Sequence, residues 1–227
     1  MQRPTNKPDA HHPASFFDVQ HIGQEVSYLD VQAMQEQAVA DVLAGGREKL
    51  FFVEHAPVYT AGSSAVDADY LGVNQIPVIK TGRGGKLTYH GPGQRVVYPI
   101  IDLRKRGRDL RQYISALQNW LIESLGEFGI DAYTTDDVGV WVSTHRGEEK
   151  IAAIGVRVRK WITFHGIALN VHPNLEHFKG IIPCGIQNRS VTSMEALGIN
   201  ASLNDVDAVL LEKFEEHFKR DPETSSG

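Results

Sequence analysis

Three features of the sequence have residue types suited to chemistry: a glycine-rich segment, a lone cysteine and a lysine that opens an apolar run. The glycine-rich segment, residues 82–94, contains five glycines, two cations, a histidine and a proline. Glycine has no Cβ atom, so its backbone adopts positive φ easily and its N–H groups can approach a ligand closely. The segment therefore predicts a ligand-binding loop, although glycine and proline also build ordinary surface turns.

Phosphate binding is the first chemistry that such a segment suggests. Gly85 and Lys86 resemble the end of a P-loop, but Leu87 stands where Ser or Thr must hold Mg²⁺, and Lys80 stands where the first glycine is needed. Leu87 also occupies the third glycine position of a dinucleotide fingerprint. These mismatches argue against both kinds of phosphate site, and we predict no cofactor.

The single cysteine, Cys184, lies between Pro183 and Gly185. A lone free cysteine is usually a small buried hydrophobe, but the flanking residues favour a turn that brings the thiol to a surface or cleft. As a nucleophile it would need nearby cations to lower its pKa. Lys150 follows a polar turn and opens a strand; taken alone it is a solvated lysine, and spacing cannot pair it with Cys184.

Histidines are the next candidates, because the chain has ten of them. His165, His172 and His177 are close in sequence, but their spacing matches no zinc motif, so we predict no metal site. His90 differs because it lies within the glycine-rich segment, where an imidazole can either face a ligand or serve the structure.

Composition excludes several classes of protein. The 227 residues are 41% hydrophobic and carry a net charge of -5, which is ordinary globular composition and argues against general nucleic-acid binding. No apolar run reaches the roughly 20 residues of a membrane helix. One cysteine excludes an internal disulfide and fits a reducing compartment, so we expect a cytoplasmic protein. Residues 1–14 and 221–227 are polar and predict disordered tails around one domain, residues 15–220.

The pattern of apolar residues predicts alternating strands and helices. Helices are expected after Asp30, from Asp109 and after Ser202, with a short one after Thr192. Two of them open with a capping-box pattern, Thr192 with Glu195 and Ser202 with Asp205, each pair three residues apart. Strands are expected over 16–26, 50–53, 76–80, 96–101, 138–142, 150–159 and 161–171, with a loop over 54–62 and a turn at 159–160. Pro99 suggests a sheet edge or strand end. We therefore predict an α/β (α+β) domain with a mostly antiparallel mixed sheet flanked by helices.

Four separated motifs, taken together, resemble the lipoate-protein ligase B family of octanoyltransferases. They are RGGKLTYHGPGQ at 83–94, KIAAIGVRV at 150–158, FHGIALNV at 164–171 and PCG at 183–185. The resemblance spans roughly residues 16–218, and one departure is Ala56, where many members have a proline. It implies the fold of biotin and lipoate protein ligases, which the strand and helix pattern could not have named.

The resemblance also implies roles for particular residues. Cys184 carries the acyl group as a thioester, and Lys150 is its acid/base partner. The acyl pocket is expected to be formed by three groups of residues: Arg83, Gly84, Gly85, Lys86, Leu87, Thr88, Tyr89 and His90; Ala153, Ile154 and Gly155; and Gly166, Ile167 and Ala168.

The implied reaction moves an octanoyl group from octanoyl-acyl carrier protein to a lysine of lipoyl domains, in E2 subunits of 2-oxoacid dehydrogenases and in glycine cleavage H protein. An acidic carrier could dock at a first basic cluster, residues 104–108, or at a second, residues 157–160. An ATP-dependent lipoate or biotin ligase of the same fold is the nearest alternative. A non-catalytic acyl-binding module and a cysteine thioesterase are the others.

Overall fold

Eleven strands and three helices are found in residues 15–72, 75–181 and 190–218, which are the residues that the computed structural model describes. The helices are α1 (Tyr28–Leu43), α2 (Leu110–Gly126) and α3 (Leu203–Phe218). The strands are β1 (Asp18–Val26), β2 (Lys49–His55), β3 (Val58–Ala61), β4 (Val78–Lys80), β5 (Leu87–His90), β6 (Gln94–Ile100), β7 (Ala132–Tyr133), β8 (Val140–Thr144), β9 (Gly147–Arg159), β10 (Ile162–Asn170) and β11 (Ser190–Val191).

Most of these strands form one eight-stranded sheet in the order β1-β2-β6-β10-β9-β8-β7, with β11 beside β9. Strands β4, β3 and β5 form a separate three-stranded sheet. The pairs β1–β2, β9–β11 and β3–β4 are parallel, and the others are antiparallel. The prediction of a mostly antiparallel mixed sheet flanked by helices is therefore confirmed.

The eight-stranded sheet has a different cover on each face. Helices α2 and α3 pack on one face, and their largest buried side chains, Trp120 and Phe214, meet edge to face with ring centroids 5.0 Å apart. Helix α1 packs on the other face, where Val31, Val39 and Val42 contact the strands β2, β6 and β10. The two faces are called here the α2/α3 face and the α1 face.

Several local predictions were wrong. The expected loop over 54–62 contains β3, which pairs with β5 and β4. Of the two alternatives for Pro99, the sheet edge is wrong, because β6 lies between β2 and β10, and the strand end is confirmed, because Pro99 is the next-to-last residue of β6. The turn between β9 and β10 is at Lys160 and Trp161, which both have positive φ, as a two-residue hairpin loop requires.

The two predicted capping boxes had different outcomes. Ser202 and Asp205 form one at the start of α3: Ser202 N–H donates to Asp205 Oδ2 at 3.1 Å, and Asp205 N–H donates to Ser202 Oγ at 3.2 Å. Thr192 caps nothing, because the short helix after it is a single 3₁₀ turn that begins at Glu195. The helix expected after Asp30 begins two residues earlier, at Tyr28.

Candidate functional site

A cavity of about 210 Å³ lies on the α1 face of the sheet, between the glycine-rich segment and the strands β6, β9 and β10. Residues of all three long motifs line it. They are Arg83, Gly84, Gly85, Lys86, Leu87, Thr88, His90 and Gln94; Lys150, Ala153, Ile154 and Gly155; and His165, Gly166, Ile167, Ala168 and Asn170. Tyr28, Val96, Tyr98, Asp137, Val138, Phe178 and Val191 complete the lining.

Among the described residues that were expected to form the acyl pocket, Tyr89 does not line this cavity. Its ring packs against Tyr59 and Phe178, and its hydroxyl is 2.7 Å from Nδ1 of His177. Thr88 and His90, the neighbours of Tyr89 on β5, face the cavity, as alternation along a strand predicts. Leu87 packs on the same side as Tyr89 and borders the cavity at the start of the strand. Cys184 lies outside the described residues, as do residues 1–14 and 219–227.

Glycines in the glycine-rich segment and in the strands beside it let different parts of the backbone approach one another closely. Gly84 N–H donates to Val156 O at 3.0 Å, which fastens the segment to β9. A Cβ atom on Gly62 would lie 2.2 Å from Gly85 O, and one on Gly155 would lie 3.1 Å from Arg83 Cδ. The segment is thus a tightly packed wall, and at these positions the absent side chains make room for protein atoms.

Arg83 is held in this wall by β3. Its guanidinium donates to Thr60 Oγ1 from Nε at 3.1 Å and to Gly84 O from Nη1 at 2.9 Å, and the side chain is buried. Thr60 belongs to the strand that replaced the predicted loop. The small three-stranded sheet therefore fixes the cation that borders the cavity.

A chain of hydrogen bonds sets the proton position on His90. Asn170 donates to Thr192 O at 2.9 Å, and Gln94 donates to Asn170 Oδ1 at 2.9 Å. Gln94 Oε1 must then accept from His90 Nδ1 at 2.7 Å, which leaves Nε2 of His90 without a proton. Burial, reinforced by the nearby His55, holds the pKa of His90 well below its usual value, so this imidazole is neutral.

Lys150 is buried at one end of the cavity, whereas the sequence taken alone favoured a solvated lysine. Its Nζ donates to Val138 O at 3.0 Å and lies 4.7 Å from the centroid of the Trp141 ring. Gly139, beside this side chain, has φ of +140°, and a Cβ atom on it would lie 2.9 Å from Ala152 O, so the position requires a glycine. The ammonium is therefore held in one place by the turn that leads into β8.

An irregularity in β9 brings Lys150 and Ala153 to the same cavity. Residues an odd number apart normally face opposite sides of a sheet. The register between β8 and β9 shifts here: Trp141 pairs with Lys150 and Val140 with Ala152, which leaves Ile151 as an extra residue. Ile151 and Ala152 accordingly both pack into the core on the α2/α3 face. Such a bulge redirects the side chains beside it.

The lining residues contribute to the cavity in different ways. Ile154 and Ile167 pack against the core of the α2/α3 face, so mainly their backbone borders the cavity. A Cβ atom on Gly166 would lie 2.2 Å from Val97 O, so this glycine is required by the approach of β6. Ala153 and Ala168, which pair with each other, remain as small side chains on the cavity side.

A cluster of five aromatic side chains lies beside the cavity, and it is called here the ring cluster: Tyr28, His55, His90, Tyr98 and His165. His55 donates from Nδ1 to Val26 O at 3.1 Å, so its Nε2 accepts from the Tyr98 hydroxyl at 2.8 Å. The Tyr28 ring stacks on His90, with centroids 6.1 Å apart, and its hydroxyl is 3.5 Å from His165 Nδ1.

The ring cluster is electrically neutral near neutral pH. Burial lowers the pKa of His55 to about 4, and burial together with the cations of Arg83 and Arg157 lowers the pKa of His165 to about 4. Burial raises the pKa of Tyr28 to about 12 and that of Tyr98 well above its usual value. No local sequence signal marked this cluster, because Tyr28, His55 and Tyr98 come from three separate elements.

The three histidines considered for a metal site have different environments. His165 belongs to the ring cluster, His172 is exposed beyond β10, and His177 contacts Tyr89. Within residues 15–72, 75–181 and 190–218, no group of three His, Cys, Asp or Glu side chains is arranged to hold a metal ion. In the same residues, no helix is long and apolar enough to cross a membrane.

The two basic clusters also differ. In the first, Asp102 binds Arg104 at 2.8 Å and Glu48 binds Arg106 at 2.6 Å, so much of its charge is neutralised within the protein. In the second, Arg157 and Arg159 are exposed, with guanidinium carbons 5.5 and 5.3 Å from the Phe164 ring centroid.

Comparisons with known proteins identify the family of this chain. Residues 27–215 match the model of the lipoyl protein ligase A/B catalytic domain family. The octanoyltransferase of Zymomonas mobilis is 52% identical over 189 residues, which cover 82% of this chain and 88% of that relative. Further curated relatives with the same name, including one from Paramagnetospirillum magneticum, are 45–49% identical.

Solved structures show the same fold. A putative lipoate protein ligase from T. acidophilum with bound lipoic acid superposes with a TM-score of 0.70 at 19% identity, covering 89% of this chain and 86% of that one. A lipoate-protein ligase A bound with ATP gives 0.61 at 18% identity, covering 89% and 85%. The expected ligase-like fold is thus confirmed. The chain belongs to the lipoyl protein ligase A/B catalytic domain family and, within it, to the octanoyltransferases, which are acyltransferases.

Proposed function

We propose that this protein transfers an octanoyl group from the thioester of an acyl carrier protein to a lysine of lipoyl domains. The observation that carries the proposal is the cavity, in which three motifs of the chain meet around a buried lysine. Relatives 45–52% identical are named octanoyltransferases, which supports the same acyl group here. Burying the seven methylene and methyl groups of an octanoyl chain contributes about 5 kcal/mol to binding.

The proposed chemistry begins at Cys184. Its thiolate attacks the carbonyl carbon of the donor thioester, a new C–S bond forms as the C–S bond to the carrier breaks, and the carrier leaves as a thiol with the proton of the Lys150 ammonium. The ammonium of Lys150 stabilises the thiolate, because a nearby cation favours the charged form of a thiol. The chain on both sides of the segment that contains Cys184 borders the cavity, at Phe178 and at Val191, and Val191 pairs with Lys150.

The second step forms an amide. The acceptor lysine attacks the octanoyl-cysteine thioester as a neutral amine, and its surplus proton must go to a base. Lys150, neutral after its proton has gone to the leaving carrier thiolate, serves as this base, and Cys184 leaves as the thiolate beside the restored ammonium. One thioester is exchanged for another in the first step, and the second runs downhill to an amide. The reaction therefore needs no ATP.

Backbone N–H groups near the glycine-rich segment or at 153–155 are the candidates for the oxyanion site. Gly84 N–H is already engaged by Val156 O. Because the N–H and C=O of one strand residue point the same way, Val156 and Ile154 both direct their backbone groups away from β10, whereas Ala153 and Gly155 direct theirs toward it. Ile154 N–H is the donor that we assign to the oxyanion.

An acidic carrier protein is expected to dock at the second basic cluster, 157–160. Arg157 and Arg159 are exposed, and a Cβ atom on Gly82 would touch the Arg157 guanidinium, which places this cluster beside the cavity wall. Arg157→Glu should slow transfer from the carrier-bound donor and spare a small octanoyl thioester. Arg111→Glu, an exposed change on α2, is the control. An equal loss with both donors would exclude docking there.

Mass spectrometry tests the reaction. After mixing with octanoyl-carrier protein and no ATP, we expect an octanoyl adduct on the wild type and none on Cys184→Ala. Adding a lipoyl domain should move the octanoyl group to its lysine, whereas hydrolysis instead would identify a thioesterase. If the wild type gives no adduct, and acylation of the lipoyl domain requires ATP and a free acid, the ligase alternative is correct.

The role of Lys150 has a separate test. Lys150→Ala should raise the pH at which Cys184 reacts with an alkylating reagent, because the thiolate loses its cation. Lys179→Ala is the control, since Lys179 is exposed and pairs with Glu176 on the surface. An unchanged alkylation profile in Lys150→Ala would remove the thiolate argument.

A further inference from the structure

The ring cluster borders the cavity on the side of α1 and β6. Tyr28, His90, Tyr98 and His165 line the cavity there, and all four are buried. Tyr28 and Tyr98 belong to different elements, α1 and β6, so the cluster is assembled from a helix and a strand. An acyl chain that starts beside Lys150 and runs along β9 toward His165 reaches these rings.

The strand register gives the separation of Lys150 and His165 along β9. Nζ of Lys150 is held beside Val138 and Gly139, next to the pair of Val140 with Ala152. His165 pairs with Val156, four residues farther along β9, which is about 13 Å at 3.3 Å per residue. The seven C–C bonds of an extended octanoyl chain advance about 9 Å, given bonds of about 1.5 Å in a zigzag. The remaining few ångströms accommodate the thioester group.

The ring cluster is fixed in place. Tyr98 is hydrogen-bonded to His55, which is itself bonded to the backbone at Val26. His165 N–H donates to Gln35 Oε1 at 2.7 Å, so its backbone is tied to α1. Displacing these rings would break buried hydrogen bonds, which costs more than compressing aliphatic side chains. The rings therefore cannot move aside to admit a longer acyl chain.

We propose that the ring cluster sets the acyl chain length that this enzyme accepts, with Tyr28 and His165 as the residues that define the limit. The inference rests on the proposed function, because it takes the acyl group to be bound in this cavity with its carbonyl near Lys150. The rings are neutral, so their faces can contact a terminal methyl group without leaving a charge buried against hydrocarbon.

At His165 a substitution can remove the ring without straining the backbone. It has φ of +56°, in the left-handed region that favours glycine, although it lies within β10. His165→Gly removes the imidazole and relieves this backbone conformation at the same time. Tyr28→Ala is the second variant and opens the cavity from α1. Tyr113→Ala is the matched control, because Tyr113 is a buried tyrosine of α2 that packs on the α2/α3 face.

The experiment measures transfer of hexanoyl, octanoyl, decanoyl and dodecanoyl groups from the carrier thioesters. For the wild type we expect transfer to fall at least tenfold between eight and twelve carbons. In His165→Gly and Tyr28→Ala the ratio of decanoyl to octanoyl transfer should rise about tenfold, the gain expected from burying two more methylene groups. Tyr113→Ala should keep the wild-type ratio.

The outcomes separate the inference from the proposed function. A wild type that transfers dodecanoyl as well as octanoyl groups overturns the chain-length limit, and so do unchanged ratios in both cavity variants or an equal shift in Tyr113→Ala. In each of these cases octanoyl transfer persists and the proposed function stands. If the wild type transfers no acyl group of any length, the proposed function itself fails.

Discussion

The two faces of the eight-stranded sheet are built from the same strands but have different chemistry. On the α2/α3 face the helices bring Trp120 and Phe214 onto an apolar core, and the Trp120 indole donates to Leu210 O at 2.8 Å. On the α1 face one helix covers part of the sheet, and the rest borders a cavity lined in part by neutral polar rings. Alternation along each strand supplies both faces: in β6, Val97 packs into the first, whereas Tyr98 joins the ring cluster.

This difference assigns separate tasks to the two faces. The α2/α3 face is filled with side chains that contact one another, so it supplies much of the stability. The α1 face leaves a cavity and buries polar groups, which costs stability but provides specific shape and chemistry. Substitutions on the first face should therefore affect unfolding, and substitutions on the second should affect which substrate is used and how stability depends on pH.

The largest expected change in stability comes from the α2/α3 face. Phe214 is fully buried between Phe17, Trp120 and Phe218. Phe214→Ala should lower the free energy of unfolding by about 3–5 kcal/mol, because it leaves a cavity in a packed core. Urea denaturation measures this. Among molecules that remain folded, the ratio of decanoyl to octanoyl transfer should stay at the wild-type value; a shifted ratio would show that the faces are not independent.

The second prediction concerns pH and the α1 face. His55 and His165 have pKa values near 4 in the folded protein, below the usual 6.5, so the unfolded chain binds more protons as the pH falls through 6.5. Above about pH 6.5 both histidines are neutral in the folded and the unfolded protein, so their burial does not lower stability. As the pH falls from about 6.5 to about 4, protons bind the unfolded chain preferentially, and the free energy of unfolding decreases. Between pH 7 and pH 5 each should lower the free energy of unfolding by about 2 kcal/mol.

Denaturant unfolding of two variants as a function of pH tests whether this pH dependence comes from the ring cluster. His165→Gly should lose about half of the pH dependence of unfolding that His55 and His165 contribute together. Phe214→Ala should be less stable at every pH, with the same dependence as the wild type. If His165→Gly keeps the full pH dependence, the ring cluster is not the source of the acid sensitivity.

The sequence predicted the fold better than it predicted the site. Helix α2 was marked by its apolar spacing and by Asp109, whose carboxylate accepts from the N–H groups of Arg111 and Gln112. Strand β3 was missed because its partner β5 is encoded about thirty residues later, inside the glycine-rich segment. Sheet order depends on such distant pairings, which no local pattern records.

The arrangement of the site depends on features that the local sequence pattern predicts even less well than the sheet order. The odd spacing of Lys150 and Ala153 would place them on opposite faces, and the extra residue Ile151 that reverses this is visible only in the pairing with β8. The glycines predicted a segment of close approach, but not that Gly85 O would lie against Gly62 or that Gly84 N–H would donate to Val156 O. The ring cluster, finally, draws on α1, β2, β5, β6 and β10.

The smallest expected effect concerns the two capping-box patterns, of which one formed. Ser202→Ala removes a side-chain acceptor from the first turn of α3 and should cost about 1 kcal/mol of stability on the α2/α3 face. Thr192 is buried, and among the described residues its hydroxyl has no hydrogen-bond partner, so Thr192→Val, which keeps its shape, should change stability by less than about 0.5 kcal/mol or increase it. Thermal unfolding of the two variants side by side measures both. If Thr192→Val lowers stability more than Ser202→Ala does, the hydroxyl of Thr192 must stabilise the backbone beside Asn170. The α1 face would then depend on a contact of Thr192 in addition to the contacts described above.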